Sequence, residues 1–383
     1  MDENMKRRLT YNNLVTDGNK VWLWDIYFNA LFCCNKGESI AERLTPFCNN
    51  KNNLGMQYSK ILKYKKNIIA VPALADNILL YDTETRETRY IAFEADKISA
   101  KYGKFWDVIG VGKFAFLIGY YSSCVLKFNM ETGRVEKCVQ LCSQENSGSV
   151  LFKFGFLEED VILIPSCTDR VVYELNIYSM EYKKNVLDNS ANGFNAICKA
   201  ADDYWLLPRY DGPVVKWNRR KGTIQYYPVE VKDFDFSLSP GLGFLQYDGS
   251  CLWAFPLKAN KIIKIDINLG YMEEEKDINS YFEYLDMPGD IQKYSYVKIQ
   301  KDMLYVHTWV SRELICYNTS SGELAAYAYY ISNRDYRKYI WESNWEKTMG
   351  EDAEFKLCDF IDVLTEDDEN RSGMKIIDCE GDR

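Results

Sequence analysis

With 383 residues, 47% of them hydrophobic, the chain carries ample apolar material for a large core, and its formal charge is −9. Fifteen acidic against eight basic residues between Ser332 and Arg383 supply most of that charge, so everything before Ser332 is close to neutral and offers no phosphate footprint for a nucleic acid. No apolar run approaches the roughly 18 residues of a membrane helix, and the charged start MDENMKRRLTYNN lacks the apolar stretch of an export signal.

Along the chain one phrase returns seven times: an apolar burst, a loop, an apolar-x-apolar step onto Asp or Asn, then a turn and a strand-like run. The copies are VWLWD…FCCN at 21 to 35, IIAVP…LLYD at 68 to 82, FAFLIG…LKFN at 114 to 129, VILIP…YELN at 161 to 176, YWLLP…VKWN at 204 to 218, LWAFP…IKID at 252 to 266 and LYVHT…ICYN at 304 to 318. Their Asx residues (Asn35, Asp82, Asn129, Asn176, Asn218, Asp266, Asn318) are 47, 47, 47, 42, 48 and 52 residues apart. That period is the size of one four-stranded propeller blade. The expected fold is all-β: a seven-bladed β-propeller of four-stranded antiparallel blades over 1–331, followed by a short tail over 332–383, helical in part and acidic at its end.

The sixth copy shows the unit most plainly. GFLQYD, a DGS turn, CLWAFP, the loop LKAN, KIIKID, an NLG turn and YMEEEKD give four strands with β-branched and aromatic enrichment. The second strand is apolar nearly throughout, as a strand covered on both faces should be. The third alternates, with Lys127, Lys216 and Lys264 set opposite their apolar neighbours. The Asx that ends it is read as a turn former, because such a side chain accepts hydrogen bonds from the backbone two residues on. Pro72, Pro165, Pro208 and Pro256 end second strands where a missing N–H stops the ladder.

Phrases such as VLKFNMETGRVEKCV and ILLYDTETRETRYI resemble the third strand, turn and fourth strand of bacterial propeller repeats of the WD40, Kelch, NHL and PQQ classes. The resemblance covers roughly residues 9 to 331 at the level of superfamily pattern. The chain lacks the strand-ending Trp-Asp with its Gly-His, the Kelch Gly-Gly doublet and a regular docking Trp, so no family's functional residues transfer to it.

Chain direction places the loops between second and third strands on one face of the ring, together with the blade-to-blade connections. Those connections swell around 41–58, 229–242 and 276–293, and loops that vary on a rigid scaffold are where binding concentrates. The candidate binding residues on that face are Tyr27, Phe28, Tyr120, Tyr121, Asp169, Arg170, Arg209, Tyr210, Asp211, Lys258, Trp309 and Arg312. Aromatics with Arg and Asp around a concavity suit a protein, peptide or glycan-bearing partner. The alternative is a propeller enzyme, a lyase or glycoside-active protein, using carboxylates and Tyr at the mouth of the central channel.

His307, the only histidine, stands where other copies carry Trp24, Val71, Ile118, Ile164, Leu207 and Phe255, so it reads as a packed residue. No cofactor and no metal is expected: Cys33-Cys34 and Cys138-x3-Cys142 do not match zinc spacings, and no Gly-rich phosphate loop occurs. The twelve cysteines are read as reduced thiols of a cytoplasmic protein. Seven complete copies imply that the ring borrows no strand to finish its last blade; the alternative is an extra edge strand from residues 1 to 12 or from the Lys375-Ile376-Ile377 run. In the tail, Phe355, Leu357, Phe360, Ile361 and Leu364 are spaced as one helical face, ahead of the acidic run TEDDENRSG.

Overall fold

The computed structural model describes residues 7–48, 55–93, 103–143, 149–190, 192–235, 241–284 and 292–348. They form the seven-bladed ring. Blade I comprises β1 (Leu14–Asp17), β2 (Lys20–Asp25), β3 (Ala30–Asn35) and β4 (Ile40–Arg43); blade II, β5 (Tyr58–Tyr64), β6 (Asn67–Pro72), β7 (Asn77–Asp82) and β8 (Thr88–Ala92). Blade III holds β9 (Phe105–Val111), β10 (Phe114–Gly119), β11 (Cys124–Asn129) and β12 (Arg134–Gln140); blade IV, β13 (Phe156–Glu158), β14 (Val161–Pro165), β15 (Val171–Asn176) and β16 (Tyr182–Val186). Blade V runs through β17 (Phe194–Ala200), β18 (Asp203–Pro208), β19 (Val214–Asn218) and β20 (Thr223–Tyr227). Blades VI and VII are β21 (Leu242–Tyr247), β22 (Cys251–Pro256), β23 (Ile263–Asp266), β24 (Met272–Glu274), and β25 (Tyr294–Gln300), β26 (Met303–Thr308), β27 (Leu314–Asn318), β28 (Leu324–Tyr327).

Within each blade the strands pair in chain order. First strands of consecutive blades touch, as β5 does β9 and β17 does β21, so they surround the axis. The second strands are the buried ones: every residue of β6 is inaccessible. Apolar clusters fill the seams between blades, with Ile69, Leu117 and Phe128 joining II to III and Trp205, Leu245 and Ile263 joining V to VI. The third-strand lysines cross seams too. Lys127 Nζ donates to the Ile177 carbonyl of the next blade at 2.8 Å, and Lys216 Nζ to that of Ile267 at 3.1 Å.

The Asx turns are as local chemistry dictates. Asn176 Oδ1 accepts from the amides of Tyr178 and Ser179, both at 2.9 Å, and the same pair of bonds recurs at Asp82, Asn129, Asp266 and Asn318. At Asn218 only the Lys221 amide takes part, and Asn35 binds Glu38 instead. Each of the turns of blades II to VII closes four residues after its Asx with a positive φ, at Gly133, Gly222, Gly270 and Gly322 but also at Arg86 and Met180. A left-handed conformation favours glycine, and these two non-glycine positions hide the repeat from a reading keyed to Gly.

Closure of the ring matches the expectation that the last blade borrows no strand, and adds one strand to the first blade. All seven blades own four strands, yet a short extra strand, β29 (Tyr330–Ile331), pairs in parallel with β4, making blade I five-stranded. The seam between blades VII and I is sealed by a strap over residues 8–13. Its Leu9 amide donates to the Tyr329 carbonyl at 2.7 Å, its Thr10 amide to Asp25 Oδ2 at 2.5 Å, and its Tyr11 carbonyl accepts from Ser295 Oγ at 2.7 Å. Asn13 then binds both backbone groups of Ile61 in blade II. The apolar cluster at this seam is built from blade I, Leu9, Tyr11 and Ile331, with no blade VII strand residue in it.

His307 is wholly buried in that seam. Its ring lies 3.9 Å from that of Tyr11 and its Nδ1 is 2.6 Å from Ser295 Oγ. Burial holds its pKa down at about 3, so the imidazole is neutral and structural.

A helix over Lys276–Tyr284 occupies the swollen connection into blade VII. Another, Asn333–Thr348, follows β29 and docks on the rim, with Tyr339 edge-on to Phe28 at 4.8 Å and Arg43 paired to Asp335 at 3.0 Å. The proposed helical face Phe355 to Leu364 and the acidic run after it lie outside the described residues. Among the described residues no helix is long and apolar enough to cross a membrane.

Candidate functional site

The first strands carry a register feature that positions the site. Tyr11, Tyr58, Phe105, Phe152, Phe194, Leu242 and Tyr294 are separated by the same intervals as the Asx residues, and all are buried. The residue after each is Asn12, Ser59, Trp106, Lys153, Asn195, Gly243 or Ser295. In five blades the ladder slips here: Phe105 opposes Gly119 while Asp107 opposes Ile118, and corresponding shifts occur after Tyr58, Phe194, Leu242 and Tyr294. A bulge of this kind re-aims its side chain. The slot is buried throughout and mostly polar, and only in blade IV is it charged.

Around Lys153 a pocket of about 230 Å³ opens, lined by Tyr120, Tyr121, Val150, Asn195, Arg209, Leu257, Lys258 and Gln292 besides Lys153 itself. Blades III to VII all contribute, and residues from five blades meet only near the ring axis. The contributing segments are loops between second and third strands, blade-to-blade connections and the start of β17. The pocket therefore lies at the channel mouth on the face that sequence singles out.

Lys153 is 5% exposed, and no carboxylate pairs with it among the described residues. Its Nζ looks instead at ring faces, 5.5 Å from the centroids of Phe154 and Phe244 and 5.9 Å from Trp106. Burial pulls its pKa down to about 7, helped by the positive charges of Arg209 and Lys60 and opposed by the Cys167 thiol. Lys60 is occupied, its Nζ 2.6 Å from Asp107 Oδ1. Arg209 gives NH1 to the Val150 carbonyl at 3.0 Å, leaving its buried Nε without a partner. Tyr120 stacks on Trp106 at 4.7 Å, and burial raises its hydroxyl pKa. Tyr121 stands edge-on to Tyr120 at 4.8 Å. Gly193 holds the Arg209 loop against blade IV: a Cβ there would stand 2.3 Å from the Cys167 carbonyl carbon.

The twelve sequence candidates divide among several places. Tyr120, Tyr121, Arg209 and Lys258 share the mouth pocket. Tyr27, Trp309 and Arg312 form a second cluster over the strap, Arg312 lying 4.4 Å above the Tyr27 ring and Trp309 edge-on to it at 6.3 Å. Phe28 is buried beneath Tyr339. Arg170 is buried in the seam between blades IV and V, stacked on Phe194 at 4.7 Å. Asp169 lines a separate recess of about 170 Å³ with Ser166, Thr168 and Lys184. Tyr210, packed under Arg209, and Asp211, whose carbonyl accepts from Asn192, are exposed. Sequence reasoning missed Lys153 and Gln292, on the connections into first strands, and Asn195, at the start of β17. The signal for Lys153 was its slot, visible once first strands are aligned by the Asx period. Among the described residues no group of three or more metal-ligating side chains is assembled.

No family model matches the chain, and no curated protein sequence matches it. Solved structures do. Virginiamycin B lyase from Staphylococcus aureus superposes with a TM-score of 0.58 over 81% of this chain and 94% of that one, at 12% identity. A catalytically inactive form of that lyase with quinupristin gives 0.57 over 80% and 96%, at 13% identity. The extracellular domain of a one-component system from B. thetaiotaomicron gives 0.52 over 79% of this chain and 38% of that chain, at 10% identity. At these identities the likeness is one of fold.

Proposed function

We propose that this propeller is a non-enzymatic binding module, presenting its channel-mouth face to a protein or peptide partner. The observation that carries the reading is the convergence of five blades on one pocket walled by Tyr120 and Tyr121 and by the cations Lys153, Arg209 and Lys258. Tyrosine and arginine side chains around a concavity are what recognition surfaces use as anchors. Lyase or glycoside chemistry by paired carboxylates would need acids at this mouth, and the described residues that line it include none. A glycan-bearing partner would need several free hydrogen-bonding groups. Here Asn195 Nδ2 is already committed to the Leu242 carbonyl at 2.6 Å and Gln292 Nε2 to that of Tyr294 at 2.7 Å. The reading sets the protein in the cytoplasm, where the ten described cysteines would remain as the free thiols they are.

The test is affinity capture from native lysate with the full chain. A Tyr121→Ala/Lys258→Glu double variant should lose the partner that the wild type retains, by roughly tenfold or more in recovery. Tyr178→Arg, an exposed substitution on the opposite, turn-bearing face, should retain it. Loss with Tyr178→Arg and retention with the double variant would place binding on the wrong face for this proposal.

A further inference from the structure

A lysine buried to 5% exposure without a carboxylate is a liability unless something else neutralises it. An ammonium held out of water costs several kcal/mol, which ring faces at 5.5 to 5.9 Å offset only in part. The six equivalent slots hold Asn, Ser, Trp, Asn, Gly and Ser, so the register itself demands no cation. Beside it, Arg209 holds a second buried donor, Nε, without a partner. Lys258 is the third cation of the lining, and among the described residues that line the pocket there is no acid. Among the described residues the walls of the pocket supply no negative charge to these three groups.

Resting on the binding reading above, we propose that the pocket receives a side-chain or terminal carboxylate of an acidic peptide segment, seated between Lys153 Nζ and the guanidinium of Arg209. The volume, about 230 Å³, suits a single such side chain with Tyr120 and Tyr121 against its apolar stem. A phosphate shares the charge but has no apolar stem for Tyr120 and Tyr121 to cover, and a sugar carboxylate adds hydroxyls that Asn195 and Gln292, each with one amide N–H given to a carbonyl, meet only in part.

The carboxylate would also return Lys153 to its charged form. Free, the amine is held near a pKa of about 7 by burial with Arg209 and Lys60 nearby. The titratable and charged groups facing it are Lys60, Cys167, Arg209, Lys258, Tyr120 and Tyr121. Bound, Lys153 takes up a proton, so association tightens as pH falls and weakens above neutrality.

Calorimetric titration of the full-length protein tests this with the blocked peptide acetyl-Gly-Gly-Glu-Gly-Gly-amide and its Gln counterpart, alongside glucuronate and inorganic phosphate. The Glu peptide should bind roughly tenfold to a hundredfold tighter than the Gln peptide, with proton uptake near neutral pH. Lys153→Met should erase that preference and at the same time raise the urea midpoint, since it removes a buried unpaired charge. Its gain in midpoint should be largest below about pH 7 and shrink toward about pH 10, as the wild-type amine loses its proton in both states. Equal binding of Glu and Gln peptides overturns the proposal, as does a lower urea midpoint in Lys153→Met, which would make Lys153 a structural residue. Tighter binding of glucuronate or phosphate than of the Glu peptide overturns the choice of a peptide. Loss of the lysate partner in the mouth variant with no preference for Glu leaves the binding face standing and removes only the carboxylate.

Discussion

Replacing Asp25 by Ala is expected to destabilise the ring by about 3 kcal/mol and to release its N-terminal strap. The carboxylate is wholly buried and accepts from three backbone amides, Thr10 at 2.5 Å, Tyr27 at 2.8 Å and Phe28 at 2.5 Å. Truncation leaves those donors buried and unpaired, at about 1–3 kcal/mol each. Against this, burial lifts the Asp25 pKa to about 6 despite the amides, so its ionised form costs about 3 kcal/mol, which the variant recovers. The amides prevail. The check is a urea midpoint together with limited proteolysis at residues 8–13, which should be cut in Asp25→Ala under conditions that spare the wild type.

The pH dependence has a definite sign. Because the folded pKa lies above the unfolded one, ionisation of Asp25 is borne at full cost above about pH 6 and relieved as pH falls toward 4. Asp25→Asn should flatten the midpoint over that window. A midpoint that rises with pH between 4 and 6, and does so equally in the Asn variant, would show that other groups govern it.

The second large effect is expected at Arg219. Its guanidinium grips Glu174 with Nε at 2.8 Å and NH2 at 2.5 Å, and reaches Glu158 at 3.1 Å, tying blade V to blade IV. The Glu174 side chain is only 3% exposed. Burial works against its charge, but the bonds from Arg219 and Lys183 outweigh it and hold the carboxyl below its ordinary pKa. Arg219→Ala leaves a buried carboxylate with a half-bound lysine, a loss of about 3 kcal/mol. The stability this pair contributes is present above the unfolded carboxyl pKa and disappears as pH falls through the folded one. The difference between wild type and Arg219→Ala should therefore narrow below about pH 4. An Arg219→Leu/Glu174→Leu double variant should recover most of the loss, because replacing a buried pair by apolar groups is close to neutral. If the double variant is as unstable as the single, packing rather than charge explains the site.

How much of this was written in the residues varies by element. The turns were legible because Asn129, Asn176 and Asn318 act on backbone within three residues of themselves, and local chemistry repeats wherever its residue does. The second strands were legible because burial on both faces leaves nothing polar in IIAVP or VILIP. Arg86 and Met180 close two of these turns in the same left-handed geometry without the glycine of their counterparts, so the Asx residue and not the Gly was the signal. The strap and β29 were illegible for another reason: Thr10 meets Asp25, and Leu9 meets Tyr329, only after the whole ring has closed, and no period connects them. Lys153 lay between these cases. Its slot is periodic, but which side chains of five blades share a pocket with it is a property of the closed ring. The candidates drawn from loops alone consequently mixed mouth residues such as Tyr121 and Lys258 with seam residues such as Arg170 and Phe28.

The 2.7 Å bond between the Leu9 amide and the Tyr329 carbonyl brings the two ends of the ring to one address. In connectivity the polypeptide is nearly circular, and blade I is first only because the chain happens to be cut beside it. Joining Ile331 to Leu9 by a short linker and opening the chain in an exposed Asx turn, such as Ser320-Ser321, would preserve every blade while moving the termini to the opposite face. A molecule of this topology has a seam in sequence that its geometry does not require.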